Sequence, residues 1–321
     1  MTNTQYDLIT FGETMLRLSP PSPLRLGQSS TLDMNFGGAE SNVASNLARL
    51  GRRVSWWSRL PENPVGHQLA ETLRGHAVKV DDVTFSQNER LGTYYVEFGT
   101  PPRGIRVWYD RANSAASHIQ PADLPAGWIS SGKWLHLTGI TPALSDSCHQ
   151  TVAFAIKTAQ DSGVKVSFDV NYRALLWTPE EAARQITGFC QRADVVFVAK
   201  RDAASLFGVD GEIESVVTTL QSQWGGTVIV TSGESGAVAS DGNTVHSASA
   251  IPVQILDRLG AGDAFASGVL DRLIDDAPLD EALRFGTALA AVKLTIAGDI
   301  AHTSRAEVEQ LLNNSHTQLR R

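Results

Sequence analysis

Residues 164–173 read Val-Lys-Val-Ser-Phe-Asp-Val-Asn-Tyr-Arg, and the way this stretch continues decides how the chain is built. Val164, Val166 and Phe168 alternate with Lys165 and Ser167, the period-two pattern of a strand. A segment of helical period, Pro179–Arg192, comes next, and then a second apolar run, Val195–Val198. Strand, helix, strand in that order is a crossover unit that pairs its strands in parallel and covers the sheet with the helix. The polar stretch Asp169 to Arg173 then falls just past the carboxyl end of a sheet strand, where open α/β sheets bind ligands. Arg173 there can grip a carboxylate or phosphate through two parallel hydrogen bonds; a solvated loop arginine is the ordinary alternative.

The same rhythm extends in both directions. Leu8–Phe11, Val54–Trp57, Trp134–Thr138 and Val228–Thr231 read as buried strands, and Asn42–Leu50, Val65–Gly75, Asp146–Ser162 and Glu212–Trp224 as helices between them. The pattern predicts an α/β fold, a mainly parallel sheet with helices on both faces. Two segments break it. Glu13–Asn35 and Thr93–Asp110 contain no helix, and Tyr94, Val96 and Phe98 alternate with Tyr95 and Glu97. These predict a small antiparallel layer beside the main sheet, with Pro20–Pro23 and Gly99–Gly104 as turns. No internal repeat or linker divides the chain, so residues 1–321 read as one domain.

Composition narrows the class further. Apolar residues make up 42% and charged residues 19% of 321, which excludes a disordered or fibrous chain. The balance of 27 basic against 34 acidic residues, a net charge of −7, argues against nucleic acid or an anionic membrane as partner. Two cysteines, Cys148 and Cys190, are too few for a disulfide framework and point to a reducing compartment. Thr2 to Tyr6 lacks the features of a signal peptide, and no apolar run reaches the roughly 20 residues that span a bilayer. The expectation is a soluble, cytoplasmic protein.

Four further stretches carry chemistry. Asp257-Arg258-Leu259-Gly260-Ala261-Gly262-Asp263 precedes Phe265, Val269 and Leu273 at helical spacing, so a helix begins near Gly262. Gly260 and Gly262 let several backbone N–H groups turn toward one point at the positive end of that helix, a ready anion site. A carboxylate at Asp263 is out of place beside a phosphate unless it accepts a proton from an attacking hydroxyl; an acidic residue complementing the dipole is the plainer reading. Gly37-Gly38-Ala39-Glu40-Ser41-Asn42 opens another helix, whose glycines permit close approach of a ligand and whose Asn42 can donate to or accept from a polyol. Tyr109 and Arg111 share one face of a strand, Arg106 and Trp108 the other, and a phenol beside a guanidinium can orient a small acid. Val228–Thr231 runs through Ser232-Gly233-Glu234-Ser235-Gly236 into another apolar piece, a strand–turn–strand able to cradle part of a nucleotide. Cys148 and His149 lie in a helical segment without a supporting motif, and the eight histidines show no metal-ligand spacing.

Taken together and in order, these pieces resemble the ribokinase-type (PfkB) carbohydrate kinases over nearly the whole chain. Gly37 to Asn42, the Tyr109/Arg111 strand followed by Ser114-Ala115, Leu137 to Leu144 and Asp169 to Arg173 are most similar to the 2-keto-3-deoxygluconate kinases within that family. The resemblance implies a ribokinase-like three-layer αβα sandwich of about nine strands, with a β lid from segments 13–35 and 93–112 that often pairs two subunits as a homodimer. It also implies ATP with Mg2+ and phosphorylation of a primary hydroxyl on a keto-deoxy sugar acid, with a neutral sugar or a nucleoside as the alternative acceptor. A sugar- or nucleotide-sensing member without catalysis is a third reading. Carried over by position, Asp263 is the base and Gly260, Ala261 and Gly262 form the anion hole. Gly38, Asn42, Tyr94, Tyr109, Arg111 and Arg173 fall on the sugar side, and Thr231, Gly233 and Gly236 on the nucleotide side. Three positions depart from the usual pattern: Arg258 follows Asp257, Ala199 to Asp202 replaces Asn-x-x-Glu so that Asp202 alone remains for the metal, and Tyr109-Asp110 replaces an aromatic pair.

Overall fold

The computed structural model describes residues 5–99 and 102–313. In chain order the first half comprises β1 (Tyr6–Phe11), β2 (Met15–Ser19), β3 (Asp33–Gly37), α1 (Ala39–Arg49), β4 (Val54–Trp57), β5 (Arg59–Pro61), α2 (Pro64–Gly75), β6 (Thr84–Ser86), β7 (Thr93–Glu97) and β8 (Arg106–Asp110). Next come β9 (Gly132–Thr138), α3 (Asp146–Asp161), β10 (Lys165–Asp169), α4 (Pro179–Cys190), β11 (Val195–Ala199), α5 (Lys200–Phe207) and α6 (Ile213–Trp224). The chain continues through β12 (Thr227–Thr231), β13 (Ala237–Ser240), β14 (Val245–Ala248), α7 (Ala261–Leu273), α8 (Leu279–Leu294) and α9 (Arg305–Asn313).

Eight described strands form the main sheet in the order β14-β13-β12-β11-β10-β9-β1-β4. Pairing is parallel from β4 to β12 and antiparallel at the β12–β13–β14 edge. Alternation along each strand feeds two separate cores. Ile9, Phe11, Val196, Val198, Val228 and Val230 pack with Val152, Ile186 and Leu220 of α3, α4 and α6. Leu8, Val195, Phe197 and Ile229 pack on the other face with Val43 and Leu47 of α1, Leu69 of α2 and Phe265 and Val269 of α7. This is the expected mixed α/β fold, with helices on both sides of a mostly parallel sheet.

A second sheet, in the order β3-β2-β7-β8, is the lid. Its outer pairs are antiparallel, but β2 and β7 run parallel, which corrects the expectation of a wholly antiparallel layer. The reason lies in the connections: β2 and β7 each lead into their own hairpin from the body of the molecule, so the two inner strands point the same way. The short parallel pair β5–β6 was not legible in the sequence. Residues 100–101, at the tip of the Gly99–Gly104 turn, lie outside the described residues, as do residues 2–4 of the Thr2 to Tyr6 stretch. Among the described residues no helix is long and apolar enough to cross a membrane.

Helices α7 and α8 touch backbone to backbone. A Cβ on Gly268 would lie 2.7 Å from Cα of Gly286 and 3.0 Å from the Phe285 carbonyl oxygen. Alanine is the better helix former, yet this steric conflict is larger. Gly268→Ala is therefore expected to lower unfolding stability by about 1–3 kcal/mol in a urea titration. An unchanged midpoint would mean that the helices separate without loss.

Candidate active site

The start of α7 is held open by its neighbours. Gly260, its N-cap, has φ +76°, and a Cβ there would lie 1.9 Å from the backbone oxygen of Asp299. No residue but glycine fits while the 298–300 turn packs this closely. Gly262 has open space around it, so the N–H groups of the first turn face a free volume. Asp263 is half-buried, and Nδ2 of Asn42 donates to its Oδ2 at 2.7 Å. One turn on, Nδ2 of Asn46 reaches Oγ of Ser267 at 3.4 Å, so α1 and α7 are joined side by side.

Carboxylates crowd this point. Burial pushes Asp263 up to about 7, with Asp299 and Glu40 adding to the rise and the Asn42 hydrogen bond and Arg173 opposing it. Burial likewise raises Asp169 to about 7, reinforced by the charges of Asp263 and Asp202 and opposed by Arg173 and by the Asn171 N–H at 3.1 Å. Asp202, at the start of α5, is buried and also raised, again mainly by burial. Arg173 is half-buried, donates only to the Tyr172 carbonyl at 3.2 Å and forms no ion pair among the described residues, although its charge acts on all three acids. Sequence-predicted residues from three distant segments thus meet.

The lid supplies the opposite wall. Register places Asn35, Arg17, Tyr94 and Tyr109 in one row across its four strands. Tyr94 is buried, stacks on Tyr109 with centroids 5.9 Å apart and donates its hydroxyl to Oδ2 of Asp299 at 2.6 Å. Arg17 pairs with Asp299 and, at 3.1 Å, with Asp257. Nε and Nη2 of Arg111 are taken by Glu13, a buried carboxylate that also accepts from Ser114; Nη1 has no hydrogen-bond partner among the described residues. Beneath them Oε1 of the fully buried Glu40 accepts from Thr138 at 2.8 Å and Thr141 at 2.7 Å. The glycine pair is also needed by the protein itself. A Cβ on Gly37 would strike Asp299 and Tyr94, and one on Gly38 would strike the Glu13 carbonyl oxygen.

On the far side of α7 lies a cavity of about 650 Å³ lined by Thr231, Gly233, Gly236, Ala261 and Gly262, with Phe265 among its apolar walls. Arg258 crosses its mouth toward Glu234 at 3.4 Å. Of the residues read as nucleotide contacts, Thr231, Gly233, Gly236 and Gly262 share this cleft, while Gly260 does not line it. Among the described residues no group of three or more His, Cys, Asp or Glu is placed to hold a metal ion. Mg2+ in general keeps several waters and comes with phosphates, touching one or two carboxylates, so a site for it needs no such cluster.

Sequence reasoning missed Arg17, Asp257, Asp299, Glu13 and Glu40 as parts of this site. The only available signal was polar residues inside otherwise apolar elements, as at Arg17 between Met15 and Leu18.

The chain is similar to known proteins over nearly its whole length. The family model described as pfkB family carbohydrate kinase matches residues 5–306. A 2-dehydro-3-deoxygalactonokinase of Haloferax volcanii is 38% identical over 307 residues, covering 95% of this chain and 96% of that protein. A 2-dehydro-3-deoxygluconokinase of Bacillus subtilis is 30% identical, covering 92% and 91%. The crystal structure of a 2-dehydro-3-deoxygluconokinase from Thermotoga maritima superposes with a TM-score of 0.91 at 33% identity, covering 96% and 99%.

Because its folded pKa lies above its ordinary value of 3.8, Asp263 supplies stability at low pH that is lost as pH rises through 7. Asp263→Asn should therefore be more stable than the unsubstituted protein at pH 8, by on the order of 1 kcal/mol or more, with the gain shrinking as pH falls below 7 and vanishing only near the ordinary value of 3.8. Asn42→Ala should move the titration of Asp263 upward, since the lost hydrogen bond favoured the charged form. Thermal unfolding across pH 5–9 reads both, and a flat difference between pH 5 and pH 8 would contradict the assignment.

Proposed function

The chain belongs to the pfkB family of carbohydrate kinases, and we propose that it transfers the γ-phosphoryl group of ATP to a primary hydroxyl of a 2-keto-3-deoxy sugar acid. The observation that carries the acid specificity is Arg173, a guanidinium without an ion-pair partner beside Asp263. A neutral sugar would leave that guanidinium without a two-pronged partner, whereas a substrate carboxylate satisfies its donor geometry. The names of the similar proteins support the same reading.

In this mechanism the Asp263 carboxylate takes the hydroxyl proton as that oxygen bonds to the γ-phosphorus and the bond to the β–γ bridging oxygen breaks, releasing ADP. A carboxylate near 7 is a better proton acceptor than an ordinary one and is still largely ionised above neutrality. The amides of Gly260, Ala261 and Gly262 stabilise the charge on the transferring group, an effect commonly worth about 3 kcal/mol per donor. Asn42 aims Asp263; Gly38 sets the packing of α1 against Glu13 and Thr14; Tyr94, Tyr109 and Arg111 face the sugar from the lid. Thr231, Gly233 and Gly236 line the nucleotide's cleft. Mg2+ bound to the phosphates would neutralise charge there, with Asp202 the carboxylate assigned to its water shell.

ADP release with Mg-ATP tests this over a panel of 2-keto-3-deoxygluconate, its galactonate epimer, fructose, ribose and nucleosides. The acids should lead, and equal turnover of fructose would remove the acid specificity. Asp263→Ala should lose about 10²–10⁴ in kcat. Arg173→Ala should raise KM for the acids more than it lowers kcat, and activity of the unsubstituted enzyme should fall as pH drops below about 7.

The lid also supports a homodimer. Met34, Leu18, Tyr95 and Trp108 form a second row, in register across all four strands, on the face turned away from Arg17 and Tyr94. Met34 and Trp108 are 49% and 45% exposed, and an apolar stripe of this kind fits the same stripe on a second copy. Light scattering should give a dimer, and Leu18→Glu with Trp108→Glu a monomer; a monomeric starting protein would exclude the pairing.

A further inference from the structure

Lys293, near the carboxyl end of α8, is the only buried lysine among the described residues and has no exposed surface. Its Nζ donates to the backbone oxygen of Asp257 at 2.8 Å and to that of Ile296 at 3.4 Å, and lies 4.0 Å from Oδ1 of Asp257. Two peptide oxygens and a carboxylate at the negative end of a helix are the surroundings of a small bound cation. The neighbouring charges balance only with the lysine present. Arg17 and Lys293 are positive, Asp257 and Asp299 negative, and all four side chains are at most 8% exposed. Without Lys293 one negative charge would remain unmatched inside the protein.

That charge would fall in a sensitive place. Asp257 begins the 257–263 stretch, its carboxylate accepts the N–H of Leu259 at 3.0 Å and that of Gly298 at 3.0 Å, and the 298–300 turn closes on Gly260. Leu256 and Asp257 are further tied to α8 through the Leu294 carbonyl. The ammonium thus joins the end of α8 to the start of the loop that forms the anion hole.

We propose that Lys293 is a positioning residue that serves as a built-in monovalent cation, holding the anion-hole loop in its phosphate-binding geometry without an ion from solution. The pairing makes the phosphate site independent of potassium, whatever sugar the enzyme accepts.

The test reads nucleotide binding, so it stays decisive even if the sugar-acid specificity fails. Calorimetry measures the Kd of AMP-PNP with magnesium in potassium chloride and in choline chloride of equal ionic strength, choline being too bulky to enter. For the unsubstituted protein the two values should agree within about twofold. Lys293→Ala, which vacates space for an ion, should bind about tenfold or more weakly in choline and regain most of that in potassium. Lys293→Met, which fills the space without charge, should be weak in both salts. A tenfold potassium dependence of the unsubstituted protein overturns the proposal, and that arm holds even if neither variant folds. So does full affinity of Lys293→Ala in choline, or a loss that potassium does not restore, since either makes the ammonium charge irrelevant.

Discussion

The site depends on bringing two helix starts together without closing the space in front of them. The 2.7 Å hydrogen bond from Asn42 to Asp263 does this: it ties α1 to α7 through side chains, so that among the first-turn amides of α7 only that of Ala261 meets a protein acceptor outside the helix, the Arg258 carbonyl oxygen at 3.4 Å. Those amides can attract an anion only if no protein group satisfies them first. The left-handed Gly260 keeps the chain turned away, and the open space at Gly262 shows the result. The same bond keeps a carboxylate at the positive end of α7, where it sits half-buried beside the helix start.

Burial decides the electrostatics of the whole region. Asp169, Asp202 and Asp263 are all shifted upward chiefly by lost solvent, and one arginine is shared among them. Removing water also strengthens every remaining interaction there, so Arg173 acts at short range on three acids instead of being screened. The paired charges behind the anion hole behave differently. Arg17, Asp257, Asp299 and Lys293 neutralise one another, and their value lies in fixing geometry, since a buried ion pair is seldom worth much in net stability. Asp169 and Asp263 form no ion pair among the described residues and Asp202 only one, with Arg201 at 3.4 Å, whereas every member of the balanced set is paired.

The architecture was legible in the sequence because alternation and helical period are local properties. Both core faces follow from which residues of β1, β11 and β12 are odd or even in their strands. The glycine-capped start of α7 was legible for the same reason, glycines and an acid lying within seven consecutive residues. What escaped was anything decided by a distant partner. Arg17 meets Asp299 across 282 positions and Asp257 across 240, and nothing local distinguishes it from a strand arginine pointing to solvent. The glycine pair was found for an incomplete reason: its lack of side chains is needed by Asp299, Tyr94 and Glu13, which no periodicity reveals. Parallel pairing within the lid escaped likewise, since it depends on how two hairpins leave the body.

The lid cannot be an independent flap. Arg17, in the middle of β2, ends on Asp257 and Asp299, and Tyr94 of β7 ends on Asp299, so the two inner strands are fastened to the residues that pack against Gly260. A displacement of those strands large enough to admit a substrate would break a buried ion pair and leave charges unmatched, at several kcal/mol. Motion is cheaper at the outer strands β3 and β8, where Asn35 and Tyr109 are exposed and carry no such tie. The inner lid strands and the turn at Gly260 are therefore coupled through one buried aspartate pair.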